Sequence, residues 1–127
     1  MPREIVTGPN VPKSLLYYSP AVTAGPFVFV SGQASVGEDG KIVPGTFAEE
    51  FWRSFDNVRK ILAAAGMTLD DVVRVTSYLA RQTDLEEYNK LYREVFNDPP
   101  PARTTLTGCL GDPPVVQFEV DVVAYRE

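Results

Sequence analysis

Pro99-Pro100-Pro101-Ala102-Arg103-Thr104-Thr105-Leu106-Thr107 decides how the chain is laid out. Proline cannot continue a helix, and it biases the residue before it toward extended geometry. Beyond the prolines, β-branched and apolar residues read as a strand from Arg103 to Leu110. The run therefore straightens the chain and delivers Arg103 onto the first residue of a strand at a constrained angle. A guanidinium held this way is a fork for a carboxylate or a phosphate. The local sequence also fits a surface arginine after a loop.

Immediately upstream, Asp84 and Glu87 have capping-box spacing. Leu85, Tyr88, Leu91, Tyr92, Val95 and Phe96 then form the apolar stripe of a helix. Val72 to Ala80 precedes it as a strand, after the polar connection Thr68-Leu69-Asp70-Asp71. An earlier helix opens at Thr46, whose capping partner is Glu49. Its stripe is Phe51, Phe55, Val58, Leu62 and Ala65, and Gly66 ends it. The N-terminal part offers three extended pieces: Glu4 to Thr7, Tyr17 to Val22, and Phe27 to Ser31 running into Gly32-Gln33. Downstream, the turn Gly111-Asp112-Pro113-Pro114 leads to a last strand, Val115 to Tyr125. The order β-β-β-α-β-α-β-β predicts an α+β fold in one domain, residues 1–127. Two helices suffice for one face of such a sheet.

Side chains alternate along a strand. In the last strand Val116, Phe118, Val120, Val122 and Ala124 share the helix side, and Glu119, Asp121, Val123 and Tyr125 the other. Taking Leu106 and Leu110 as helix-facing puts Arg103, Thr105, Thr107 and Cys109 on the opposite face. Taking Val73, Val75 and Leu79 likewise leaves Arg74, Thr76 and Tyr78 there. This parity predicts that Arg103, Thr105 and Glu119 share one uncovered, partly apolar face. Such a face suits a subunit interface, or a solvated antiparallel sheet.

Composition narrows the chemistry. The chain has 127 residues, a net charge of −5 and no histidine. Every His-based triad, base and metal site is excluded. The single cysteine, Cys109, allows no internal disulfide and lacks a histidine to activate it. Acidic clusters are the one metal site left open in principle, and no calcium-binding loop spacing appears among them. Acidity without a basic cluster argues against nucleic acid as a partner. No signal-peptide pattern or membrane-spanning run is visible, so a soluble, cytoplasmic protein is expected.

Arg103 and Glu119 are the sharpest pair: one to fix an acid group, the other to activate water or shuttle a proton. A salt bridge between them, or a glutamate on the wet side of a strand, fits the pattern as well. Ser31-Gly32 ends a strand where glycine permits close backbone approach, and Tyr17 and Tyr18 are candidate walls of a pocket.

Together these pieces resemble the RidA (YjgF-type) family of imine deaminases. Tyr18-Ser19-Pro20-Ala21-Val22, Gly25 and Phe29-Val30-Ser31-Gly32-Gln33 carry the first part of the resemblance. Asn57-Val58, Ala63-Ala64-Ala65-Gly66 and Asp71-Val72-Val73-Arg74-Val75-Thr76 continue it. Tyr88-Asn89-x-x-Tyr92 with Phe96, Pro101-Ala102-Arg103 and Phe118-Glu119-Val120 complete it across nearly the whole chain. The resemblance implies a chorismate-mutase-like fold in a barrel-cored homotrimer, with ligand clefts between subunits. It implies hydrolysis of enamines and imines such as 2-aminoacrylate to 2-oxo acids and ammonia, without a cofactor. By the same resemblance Arg103 holds the substrate carboxylate and Glu119 positions water. Tyr18, Ser31 and Gly32 line the cleft, and Asn89 is a recurrent helix asparagine. Two departures stand out. Thr105 occupies a position that is often cysteine, and the Thr107–Pro114 loop is unlike the usual one. A non-enzymatic binder of small carboxylates, or an RNA-cleaving role that some relatives are credited with, are the other readings.

Overall fold

Leu106 faces open space, and that single fact reorganises the expected layout. The computed structural model describes residues 3–127, so the first two residues of the expected domain lie outside it. Its strands are β1 (Glu4–Ile5), β2 (Ala21–Ala24), β3 (Phe27–Ala34), β4 (Val72–Leu79), β5 (Ala102–Thr107) and β6 (Phe118–Tyr125). They form one mixed sheet in the order β1-β2-β3-β6-β4-β5, antiparallel except for β4 beside β5. Helices α1 (Phe47–Ala64) and α2 (Leu85–Tyr92) supply the core-facing layer, α1 packing on β3 and β6 and α2 linking the parallel pair.

Helix α1 forms as its sequence dictates. Thr46 Oγ1 accepts the Glu49 N–H at 3.2 Å, and the Glu49 carboxylate accepts the Thr46 N–H at 2.8 Å. At the other end Gly66 takes φ 77°, which lets its N–H reach the Ala63 carbonyl and that of Met67 the Leu62 carbonyl. Phe51, Phe55, Val58, Ile61 and Leu62 are buried against Phe118, Val120 and Val122 of β6. Strand β6 lies between β3 and β4 and is the centre of the core.

A buried carboxylate ties this layer together. Glu50 accepts the Gln117 N–H and its Nε2 amide, each at 2.9 Å, and the Gly45 N–H at 3.3 Å. Gln117 also donates Nε2 to the Gly45 carbonyl at 2.6 Å and accepts the Ala80 N–H through its own carbonyl. The start of α1, the end of β4 and the lead into β6 are thus joined through the Glu50 side chain and the side chain and backbone of Gln117.

Four expectations are corrected. Tyr17 and Tyr18 lie in bends, and β2 begins only at Ala21. Asp84 does not cap α2: a 3-10 turn over Gln82–Asp84 runs straight into the helix, and Asp84 itself has helical backbone. In β4 the pairing with β6 shifts between Val72 and Arg74, so Val72 and Val75 are buried while Val73 is 45% exposed. Most consequential is β5. Its parallel register sets Arg103 beside Val75 and Thr105 beside Ser77, both on the helix-covered face, and Leu106 beside Tyr78. Leu106, 44% exposed, is therefore an open-face residue, and Arg103 and Thr105 do not share a face with Glu119. An apolar residue on an edge strand is a poor anchor for parity, because the open face of this sheet is itself apolar.

Replacing Glu50 by alanine removes the buried acceptor of three part-buried hydrogen bonds. Urea unfolding is expected to show a loss of about 2–3 kcal/mol, with Glu50→Gln falling between it and wild type. A change within error for Glu50→Ala would refute the joining role.

Candidate functional site

Two clusters of the expected residues form, on opposite faces of the sheet. The first is built on β5 and α2. The proline run brings Arg103 in at the second residue of β5, across from one turn of α2. Its guanidinium carbon lies 5.1 Å from the ring centre of Tyr88 and 4.6 Å from that of Tyr92. One Nη donates to Asn89 Oδ1 at 2.7 Å. No carboxylate lies within ion-pair distance of Arg103 among the described residues. Thr105 donates to the Tyr88 hydroxyl at 3.2 Å, and that hydroxyl donates to the buried Ser77 Oγ at 2.8 Å. Burial pushes the Tyr92 phenol up to about 12, with Tyr88 adding to the rise and Arg103 opposing it. An open cleft of about 810 Å³ runs from Arg103 along Asn89, Tyr92, Phe96, Pro100 and Pro101. The cluster is a fixed, uncompensated cation at the head of a groove.

The second cluster is built on β3 and β6. The pairing of β3 with β6 shifts between Val30 and Gln33, and Gly32 sits inside that irregularity. A Cβ at this position would overlap Glu119 Oε2, so glycine is what lets the carboxylate lie against the β3 backbone. Ser31 Oγ donates to the Ser19 carbonyl at 2.7 Å, and the Ser31 N–H to the Pro20 carbonyl at 2.9 Å. Ser31 thus pins the bend that carries Tyr18. Tyr18, Ser31, Gly32, Glu119 and Asp121 surround a cleft of about 400 Å³. Burial, then the neighbouring Asp121 charge, raises the Glu119 carboxyl above the usual carboxylate range. Asp121 accepts a 2.7 Å hydrogen bond from Tyr78, whose phenol is pushed up to about 12 mainly by that bond.

All six expected site residues fall in these clusters, Arg103 and Thr105 in one, Tyr18, Ser31, Gly32 and Glu119 in the other. Within one chain the sheet separates them. Tyr88 and Tyr92 were not expected at the site; their four-residue spacing reads as core stripe, and only their position opposite Arg103 reveals the second use. Tyr78 and Asp121 were likewise only strand polarity. Cys109 lies in the loop after β5, its Sγ 3.6 Å from the Leu79 carbonyl. The open face beside the second cluster is apolar. Phe27 makes tilted ring contacts with Phe29 and Tyr125, with ring centres at 6.1 and 5.0 Å, and all three residues are exposed. Among the described residues no helix is long and apolar enough to cross a membrane.

Comparison with known proteins is consistent along the chain. A family model described as Endoribonuclease L-PSP matches residues 8–126. A RutC family protein of Pyrococcus horikoshii is 35% identical over 126 residues, 98% of this chain and 99% of its own length. A protein of Dermatophagoides farinae named 2-iminobutanoate/2-iminopropanoate deaminase is 29% identical, over 99% of this chain and 98% of its own. The crystal structure of a putative endoribonuclease of Thermotoga maritima superposes with a TM-score of 0.87 at 33% identity, covering 98% of both chains. That of E. coli TdcF with bound serine superposes with a TM-score of 0.86 at 27% identity, covering 98% of this chain and 99% of TdcF.

A carboxyl raised by folding gives stability at low pH that is lost as pH climbs through the raised value. Glu119→Gln is therefore expected to melt higher than wild type at neutral pH, the gap closing below about pH 4. Parallel melting curves across pH, with no narrowing of the gap, would contradict the burial of this charge.

Proposed function

The chain belongs to the Endoribonuclease L-PSP family, the RidA (YjgF-type) group, and from that premise we propose that it hydrolyses 2-imino acids and their enamines to 2-oxo acids and ammonia. The observation that carries this reading is the uncompensated Arg103 cation at the head of its groove, which a carboxylate of raised proton affinity, Glu119, complements from the other face of the sheet. The imine carbon of such a substrate is already electrophilic once its nitrogen is protonated. What it needs is a held carboxylate, a placed water and a proton acceptor of matched strength. Arg103 takes the substrate carboxylate in its fork. Glu119 takes a proton from water as the oxygen bonds to C2, giving a tetrahedral carbinolamine. The same proton passes to nitrogen, the C–N bond breaks with its electron pair on ammonia, and Glu119, again ionised, takes the hydroxyl proton as the C2–O bond becomes the carbonyl.

Because Arg103 and Glu119 lie on opposite faces, we assign the site to two copies of the chain. One copy supplies Arg103 and Thr105; its neighbour supplies Glu119, Gly32, Ser31 and Tyr18. The apolar open face of Phe27, Phe29 and Tyr125 supports packing of sheets against one another, in the homotrimer that the family resemblance implies. The resemblance implies no cofactor, and the proposed partners are a small carboxylate-bearing imine or 2-oxo acid and further copies of this chain. The cytoplasm is the proposed compartment.

A second reading, a binder of small carboxylates without turnover, is favoured by Thr105 at a position that is often cysteine and by the serine bound to TdcF. RNA as a substrate is disfavoured by the net charge of −5.

The test generates 2-iminopropanoate or 2-iminobutanoate in place with an amino-acid oxidase and follows its capture by semicarbazide. Wild-type protein is expected to compete with the trap, and Arg103→Ala to lose about a hundredfold in kcat/KM, as for a charge-assisted bidentate contact. Wild type no faster than buffer, or Arg103→Ala as fast as wild type, would overturn the enzymatic reading.

A further inference from the structure

Arg103 is held by neutral groups only, and the choice of holders has a consequence. A carboxylate partner would fix the side chain but cancel its charge and compete with an incoming anion. Two aromatic faces attract the cation without cancelling it, and an amide oxygen accepts one N–H without bringing a charge. All three holders come from one turn of α2: Tyr88, Asn89 and Tyr92. Tyr88 is fully buried and Tyr92 is 6% exposed, so the platform is part of the core.

We propose that Tyr88, Asn89 and Tyr92 are positioning residues that form a charge-neutral cradle for Arg103, and that this neutrality sets the affinity for the ligand carboxylate. The inference rests on the reading of Arg103 as the carboxylate anchor. The two tyrosines contribute differently. Tyr92 acts through its ring alone, since its hydroxyl is buried and has no hydrogen-bond partner. Tyr88 acts through ring and hydroxyl, since its hydroxyl links Thr105 to Ser77 and so also fixes the residue two beyond the arginine. Asn89 fixes the fork's rotation by occupying one Nη.

Asn89→Asp separates position from charge. The shapes are nearly the same and the carboxylate accepts the same hydrogen bond, but Arg103 becomes paired. The experiment is calorimetric titration of the assembled protein with 2-oxobutanoate, alongside urea unfolding of each variant. Asn89→Asp is expected to raise Kd about tenfold or more with unchanged or higher stability. Tyr92→Phe is expected to bind as wild type and be no less stable. Tyr92→Leu, lacking the π face, is expected to raise Kd several-fold, and Tyr88→Phe to weaken binding while Tyr92→Phe does not. In turnover the losses are expected in KM, with kcat nearly kept. Asn89→Asp binding as tightly as wild type, or Tyr92→Phe as impaired as Tyr92→Leu, would overturn the cradle. Should Tyr92→Leu fail to fold, Asn89→Asp and Tyr92→Phe still decide the matter. Wild type and Arg103→Ala binding 2-oxobutanoate equally would instead remove the anchor itself.

Discussion

Two helices cover one face of a six-stranded sheet, and the alternation of side chains along strands does the rest. Every inward residue of β6 is buried under α1, so every outward one, Glu119 and Asp121 among them, is sent to the uncovered side. The parallel register of β4 and β5 then ties Arg103 to Val75 and hence to the covered side, where α2 ends. No rotamer choice can undo this, because a slip of one residue would expose the buried set and bury the polar one. The separation of cation and carboxylate is a property of the fold.

Each charged group is tuned by what surrounds it. Arg103 sits on rings and an amide, which hold it in place and leave its charge available. Glu119 lies against a strand backbone that only glycine makes reachable, beside a second carboxylate, and its proton affinity rises as a result. A free cation for an acid group and a carboxyl of raised pKa for proton transfer are complementary demands of hydrolysing a carboxylate-bearing imine. The apolar rings on the open face give a physical reason for copies to meet where the Glu119 cluster lies.

Much of this was legible in the sequence, and the failures have definite causes. The capping pair Thr46 and Glu49, the stripe from Phe51 to Leu62 and the closing Gly66 are local signals, and each forms as read. So does the alternation in β6, whose inward residues are all apolar. In β4 the shifted pairing at Val72 to Arg74 breaks the period, and a bulge leaves no mark that alternation can detect. In β5, Leu106 points outward because the outer face is apolar too, so hydrophobicity could not decide parity there. The site residues were found by type and by family resemblance; their division between faces depends on register with β4, which is long-range. Glu50 and the ring faces of Tyr88 and Tyr92 stayed hidden because their partners are 67, 15 and 11 residues away in sequence.

The central claim is that one catalytic unit takes Arg103 from one copy and Glu119 from another. Complementation between Arg103→Ala and Glu119→Gln chains, unfolded and refolded together at equal concentration, measures it directly. Shared sites predict that the mixture recovers up to about one quarter of wild-type deaminase activity, the statistical share of interfaces with both native residues, from two proteins nearly inactive alone. Activity of the mixture no greater than the mean of the two separate proteins would contradict it.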